Sequence, residues 1–194
     1  MLIQQLIVFV VVTAIAALAI AAFQGGGDDE EPGRAASAAE PQPPQPPPAG
    51  TSRIAPPQGT IPVADWSDRT YADPSAGGAT VTLADGAAEV GSDHVTLGDV
   101  IPASLDGGPA VVVVLTRSPG AGGPATHLVQ LFRFANATPI AVAALAVPAD
   151  PQAVATRWTV GDGVLLRIQS YVDIPDVTTR YVPGPNGVLL PAGP

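Results

Sequence analysis

The sequence predicts a mostly β protein: one N-terminal transmembrane helix, a proline-rich linker, then an antiparallel β-meander or sheet domain. Three observations carry this reading. From Leu6 to Phe23 only Thr13 is not apolar. Ten of the 31 residues from Pro32 to Pro62 are proline. From residue 64 onward, short apolar or alternating runs recur between Gly, Pro and Asp breakers, with no long stripe of 3.6-residue period. The expected organisation is a signal anchor over 1–23, a flexible Gly-, acid- and Pro-rich linker over 24–63 and an extracytoplasmic β-domain over 64–194.

The first segment carries no charge, and with Leu2 and Ile3 it makes 22 residues. As a helix it would reach roughly 33 Å, enough for a hydrocarbon core of about 30 Å. A cleaved signal peptide has a positive amino end and a shorter apolar core. Met1 to Phe23 has no Lys or Arg, so a retained anchor fits better. Ala17-Leu18-Ala19 and Ala19-Ile20-Ala21 keep the cleavable reading open. The nearest basic residue is Arg34, so orientation rests on weak charge bias; the expectation is a cytoplasmic amino terminus and an external domain.

Gly25-Gly26-Gly27 opens the linker, and Asp28, Asp29, Glu30 and Glu31 follow. Proline fixes φ and donates no hydrogen bond, so the stretch around Pro41–Pro48 is predicted as polyproline II or disordered spacer. Pro43-Pro44-Gln45-Pro46 also satisfies a P-x-x-P docking pattern, as almost any proline run does.

Beyond it, the domain has six arginines against twelve acids and is long enough for one real core. Asp65-Trp66-Ser67-Asp68-Arg69 suggests one capped helical turn with Asp65 as N-cap. Thr80–Leu83 and Ala87–Val90 flank an Asp85-Gly86 turn signal. His94–Leu97 alternates. Ala110–Thr116 is a continuous β-branched run, the mark of a central strand covered on both faces. His127–Phe134 puts Leu128, Phe132 and Phe134 on one face and Val129 and Leu131 on the other. Ile140–Val147 is apolar but Ala-rich. Thr156–Val160, Asp162-Gly163 and Val164–Gln169 form the best hairpin, with Leu165, Arg167 and Gln169 on one side of the second strand. Val177–Val182 and Val188–Leu190 complete the set. Short connections favour a meander.

Composition excludes a good deal of chemistry. The chain has no cysteine, hence no disulfide, thiolate or cysteine-metal site. It has no lysine, hence no Schiff base and no Walker-type phosphate lysine. A net charge of −9 argues against a nucleic-acid partner, because phosphate needs a basic stripe. Ser92-Asp93-His94 offers triad residues, but neighbours on a strand point to opposite faces. His94 and His127 are too few for a zinc site unless acids join them. Ser118–Pro124 reads as a long, mobile hairpin loop, since strand rather than helix follows it. Asp173 and Asp176 could pair as acid and base, although loop acids in an acidic chain are usually only solvated. Trp66, Trp158, Tyr71, Tyr171 and Tyr181 are expected in or around the core.

A family resemblance adds to this. Asp65-Trp66 with Thr70-Tyr71, Val81–Gly86, Leu97-Gly98-Asp99-Val100, Leu105-Asp106-Gly107, Ala110–Thr116, Gly120–Gly123 and Val129–Phe132 occur in an order that resembles a group of exported, mostly uncharacterised actinobacterial proteins. The resemblance covers most of 65–190 and implies a secreted or anchored single β-domain, with no reaction to transfer. Gly98 to Leu115 also looks like a distant FG-GAP-type blade, which implies calcium. Here Asp99 and Asp106 stand seven apart, and Ser104 and Gly108 replace acids of that pattern.

The expectation is therefore a single-pass envelope protein, its C-terminal domain outside the cytoplasm. It binds the membrane through its helix and a protein partner through its domain, as an accessory subunit without enzymatic activity, cofactor or metal. Two alternatives remain: a carbohydrate- or lipid-binding module, which needs an exposed aromatic platform or apolar cavity, and a hydrolase using acids.

Overall fold

The protein is described by a computed structural model covering residues 52–193. The expected membrane helix (1–23), and the linker up to residue 51, lie outside the described residues. Among the described residues no helix is long and apolar enough to cross a membrane. All elements below belong to the unit Pro47–Pro194.

The domain is mostly antiparallel β-sheet. Among the described residues twelve strands occur in order: β1 (Ile54–Ala55), β2 (Thr70–Asp73), β3 (Ala79–Thr82), β4 (Ala87–Val90), β5 (Asp93–Leu105), β6 (Gly108–Ser118), β7 (Thr126–Ala135), β8 (Thr138–Pro148), β9 (Ala155–Gly161), β10 (Val164–Ser170), β11 (Val177–Pro183) and β12 (Leu189–Pro191). The main sheet runs β1-β5-β6-β7-β8, with β4 also on the β5 edge. The second sheet runs β12-β11-β10-β9, and β2-β3 is a separate hairpin. Most pairings join sequence neighbours, as short connections dictate.

The main sheet is the middle of three layers. Val112, Val114, Val129, Leu131 and Ala143 face one way and pack with Trp158, Leu165, Tyr181 and Leu189 of the second sheet. Val111, Val113, Leu115, Leu128 and Phe132 face the other way and pack with Tyr71, Val81 and Leu83 of the β2–β3 layer. This is why β6 has no polar alternation: both its faces are dry. Each of Val111 to Leu115 is at most 2 % exposed, a burial that contributes about 1.5–3 kcal/mol per side chain. The two-faced pattern predicted for β7 is the one observed.

Backbone detail follows from particular residues. Asp85-Gly86, Asp106-Gly107 and Asp162-Gly163 all have positive φ at both positions, the primed turn that matches strand twist and that Asp-Gly tolerates. Asp162-Gly163 closes the β9–β10 hairpin as expected. At Asp85-Gly86 the turn forms, but the flanking strands part: β3 pairs with β2 and β4 with β5. β5 carries an irregularity between Leu97 and Val100. At Gly98, within it, a Cβ would lie 3.0 Å from the Val114 carbonyl oxygen, so a side chain there would crowd the neighbouring strand.

Three local expectations change. Residues 65–69 form no helical turn; Asp65 Oδ1 instead accepts from the Ser67 and Asp68 amides and the Ser67 hydroxyl. A short Asp side chain competes with helical bonding in this way. Ile54, placed in the linker by composition, is fully buried between the sheets and pairs with Leu105, so the folded part starts before residue 64. The Ser118–Pro124 loop is pinned: a Cβ on Gly120 would sit 1.9 Å from the Ser92 carbonyl oxygen.

Candidate functional site

Of the ionisable groups singled out in the sequence, Asp93, His94 and Asp106 are engaged in bonds of their own. In Ser92-Asp93-His94, Asp93 pairs with Arg117 Nε at 2.7 Å, and His94 Nδ1 lies 2.7 Å from Glu89 directly across the β4–β5 ladder. The carboxylate thus turns to an arginine, and the imidazole to a different acid. The Arg117 bond is also the main reason that the Asp93 carboxyl titrates below its ordinary range. The second nitrogen of Arg117 reaches the buried Asp73. One guanidinium therefore ties β2 to β5 from β6, a structural use of charge.

Asp106 turns inward on the backbone. Its carboxylate accepts from the Arg53 amide at 2.9 Å, and its own amide donates to the Arg53 carbonyl. Asp99 belongs to the irregular stretch of β5, away from that turn. Among the described residues no three His, Cys, Asp or Glu side chains gather closely enough to hold a metal ion. A cleft of about 280 Å³ lies beside the β5–β6 turn, lined by Arg53, Ala55, Gln58, Ser104, Asp106 and Gly107. It brings a hydroxyl and a carboxylate to one place without a histidine in its lining.

The aromatic side chains are spent on packing. Tyr71, Trp158 and Tyr181 are buried. Burial pushes the Tyr71 phenol up to about 12. Trp66 is half-buried, its ring 5.1 Å from that of Phe132 and covered by Arg69 at 5.1 Å. Tyr171 donates to Asp150 Oδ2 at 2.8 Å. These rings form the interior and its lid, not an exposed platform.

What the domain does expose is aliphatic. Val154, Val172, Ile174 and Val177 are 65, 79, 55 and 43 % exposed. The Val154 amide donates to the Ser170 carbonyl, and Val177 pairs with Gln169. All four therefore lie at the end where β10 gives way to β11: Val154 just before β9, Val177 at the start of β11, and Val172 and Ile174 on the loop between, which also carries Asp173 and Asp176. Single exposed aliphatics are ordinary, whereas a local group of them marks an interaction surface. In the sequence the signal for this end is Tyr171-Val172-Asp173-Ile174-Pro175, where Val172 and Ile174 alternate with the acid. Comparison with protein-family models, curated proteins and solved structures finds no match.

Proposed function

We propose that the chain is a membrane-anchored, extracytoplasmic interaction protein whose β-domain docks on a protein partner in the cell envelope. The observation that supports this is the group Val154, Val172, Ile174 and Val177 at the β10–β11 end. Dry aliphatic contact rimmed by solvated Asp173 and Asp176 is the anatomy of a modest protein interface. The apolar sequence of 1–23 supports the anchor, and the proline-rich stretch supports a spacer between anchor and domain.

The test is site-specific photo-crosslinking in intact cells, with the photoreactive residue at Ile174 or, as control, at the exposed Arg157. One adduct of defined mass from position 174, and none from 157, is the expected result. Unmodified monomer from both positions counts against a docked partner. Intact mass of the purified protein and its release only by detergent test the anchor.

A further inference from the structure

The inner face of the second sheet is not apolar throughout. Arg167 and Trp158 stand directly opposite each other across β9–β10, and Gln169 follows two residues on, on the same face. They are 6, 5 and 6 % exposed. His127 of β7 reaches across from the main sheet and meets Trp158 edge to face, ring centroids 6.2 Å apart. The Arg167 guanidinium lies 5.9 Å from the Trp158 ring centre.

These four side chains share an unusual state. Arg167 Nε, Gln169 Nε2, Trp158 Nε1 and His127 Nδ1 are buried and have no hydrogen-bond partner among the described residues. Arg167 uses Nη2 on the Pro148 carbonyl at 2.8 Å. No carboxylate among the described residues lies within ion-pair distance of it, although its charge is felt by the Asp150 carboxylate, as the last of the causes that hold that group down. A buried polar group without a partner is destabilising, and a buried charge without a counterion is more so. Arg167 Nε and Trp158 Nε1 are obligate donors, and neither can satisfy the other. Burial first, and the Arg167 charge second, hold the His127 imidazole below its ordinary value of 6.5, with the Asp99 charge acting the other way. At neutral pH the ring is therefore uncharged and has one N–H to give.

We propose that Arg167, Gln169, Trp158 and His127 form an oxyanion-binding site between the two sheets, taking a carboxylate or phosphate group. The planar guanidinium matches the two oxygens of either, and the indole and amide N–H groups supply further donors. A ligand with this chemistry meets the charge in direct contact and satisfies the donors together; a lone water accepts at most two bonds and brings no charge. The site uses no side chain of the proposed docking surface, although Gln169 is the strand partner of Val177.

The experiment uses the full chain carrying Trp66→Phe, so that indole fluorescence reports Trp158, in mild detergent. Inorganic phosphate and acetate are titrated separately against chloride at constant ionic strength. A saturable fluorescence change with either anion is expected, with a rise in Tm of roughly 5–10 °C at about 100 times the dissociation constant. A response to phosphate alone or acetate alone supports the site and identifies the group it takes. Arg167→Met should lose the response, about 100-fold or more in affinity, while its Tm without anion equals or exceeds that of the parent, because a buried unpaired charge has gone. Gln169→Leu, which keeps the charge, should weaken binding about tenfold. No saturable response to either anion overturns the proposal, as does a response retained in Arg167→Met or unchanged in Gln169→Leu.

Discussion

Gln130 sits fully buried in β7, the middle of the molecule, among valines, leucines and a phenylalanine. Its amide does what a strand would do for β2: Oε1 accepts from the Ala72 amide and Nε2 donates to the Ala72 carbonyl, both at 3.0 Å. Gln130→Leu keeps the size and apolar fit but deletes both bonds. The net value of each is about 1 kcal/mol. If the Ala72 groups stayed dry, each would cost a further ~1–3 kcal/mol. Ala72 lies at the exposed rim, so water can rescue part of that. The expected loss is therefore about 2–3 kcal/mol, read in urea unfolding by tryptophan fluorescence as a midpoint drop of roughly 1 M. The loss should begin locally. Amide exchange in β2 and β3 should quicken more than in β6, because the hairpin's polar tie to the main sheet has gone while its apolar contacts remain. A loss below about 0.5 kcal/mol, or uniform quickening across all strands, would refute the idea that this side chain holds the third layer in register.

Arg117→Met leaves Asp73, 1 % exposed, as an uncompensated buried carboxylate, and should destabilise by about 3–5 kcal/mol; adding Asp73→Asn should restore part of this in the same urea assay. Gly120→Ala forces a Cβ to within 1.9 Å of the Ser92 carbonyl oxygen, with an expected loss of about 1–3 kcal/mol and displacement of the β6–β7 loop, seen as chemical-shift changes at Ser92 and Asp93. His127 is held below 6.5 by burial and by Arg167. The unfolded chain takes the proton first, so its contribution is present above about pH 6.5 and is lost as pH falls through the lower folded value. His127→Leu should flatten that part of the pH–stability curve. Asp65, Asp93 and Asp150, each held below 3.8 chiefly by hydrogen bonds, act further down: their contribution is present above 3.8 and disappears as pH falls through their folded values, a second decline that His127→Leu leaves in place.

Strand existence was legible where side-chain period carries it. The β7 faces, the two-sided β6 and the Asp162-Gly163 hairpin follow from residue type and turn chemistry alone. Partnership was less legible. The Asp85-Gly86 turn depends on two residues, but the fate of the strands beside it depends on which layer buries Val81 and Leu83, and that is decided by the whole sheet. β1 has two residues and no period, so composition assigned it to the spacer although Ile54 is core. The polar cluster was half visible. Alternation put Leu165, Arg167 and Gln169 on one face of β10, yet a twofold pattern cannot say which face turns inward. With Val164, Leu166 and Ile168 opposite, the arginine face would be expected to meet water; instead it faces the main sheet, in the core that Leu165 shares with its sheet neighbours Trp158 and Tyr181.

The short strand at the start of the domain has a mechanical consequence. Tension arriving along the chain from its amino-terminal side enters through Arg53, Ile54 and Ala55. It is borne there by the Arg53–Asp106 bonds, the Ile54 amide on the Gly163 carbonyl and a two-residue ladder on β5. Every later strand is longer. A pull therefore unzips β1 first and draws Ile54 out of its socket between the layers, leaving the long meander loaded only afterwards. The domain has a weak first link at the point where force would reach it, and extension there would expose apolar surface before the rest of the fold gives way.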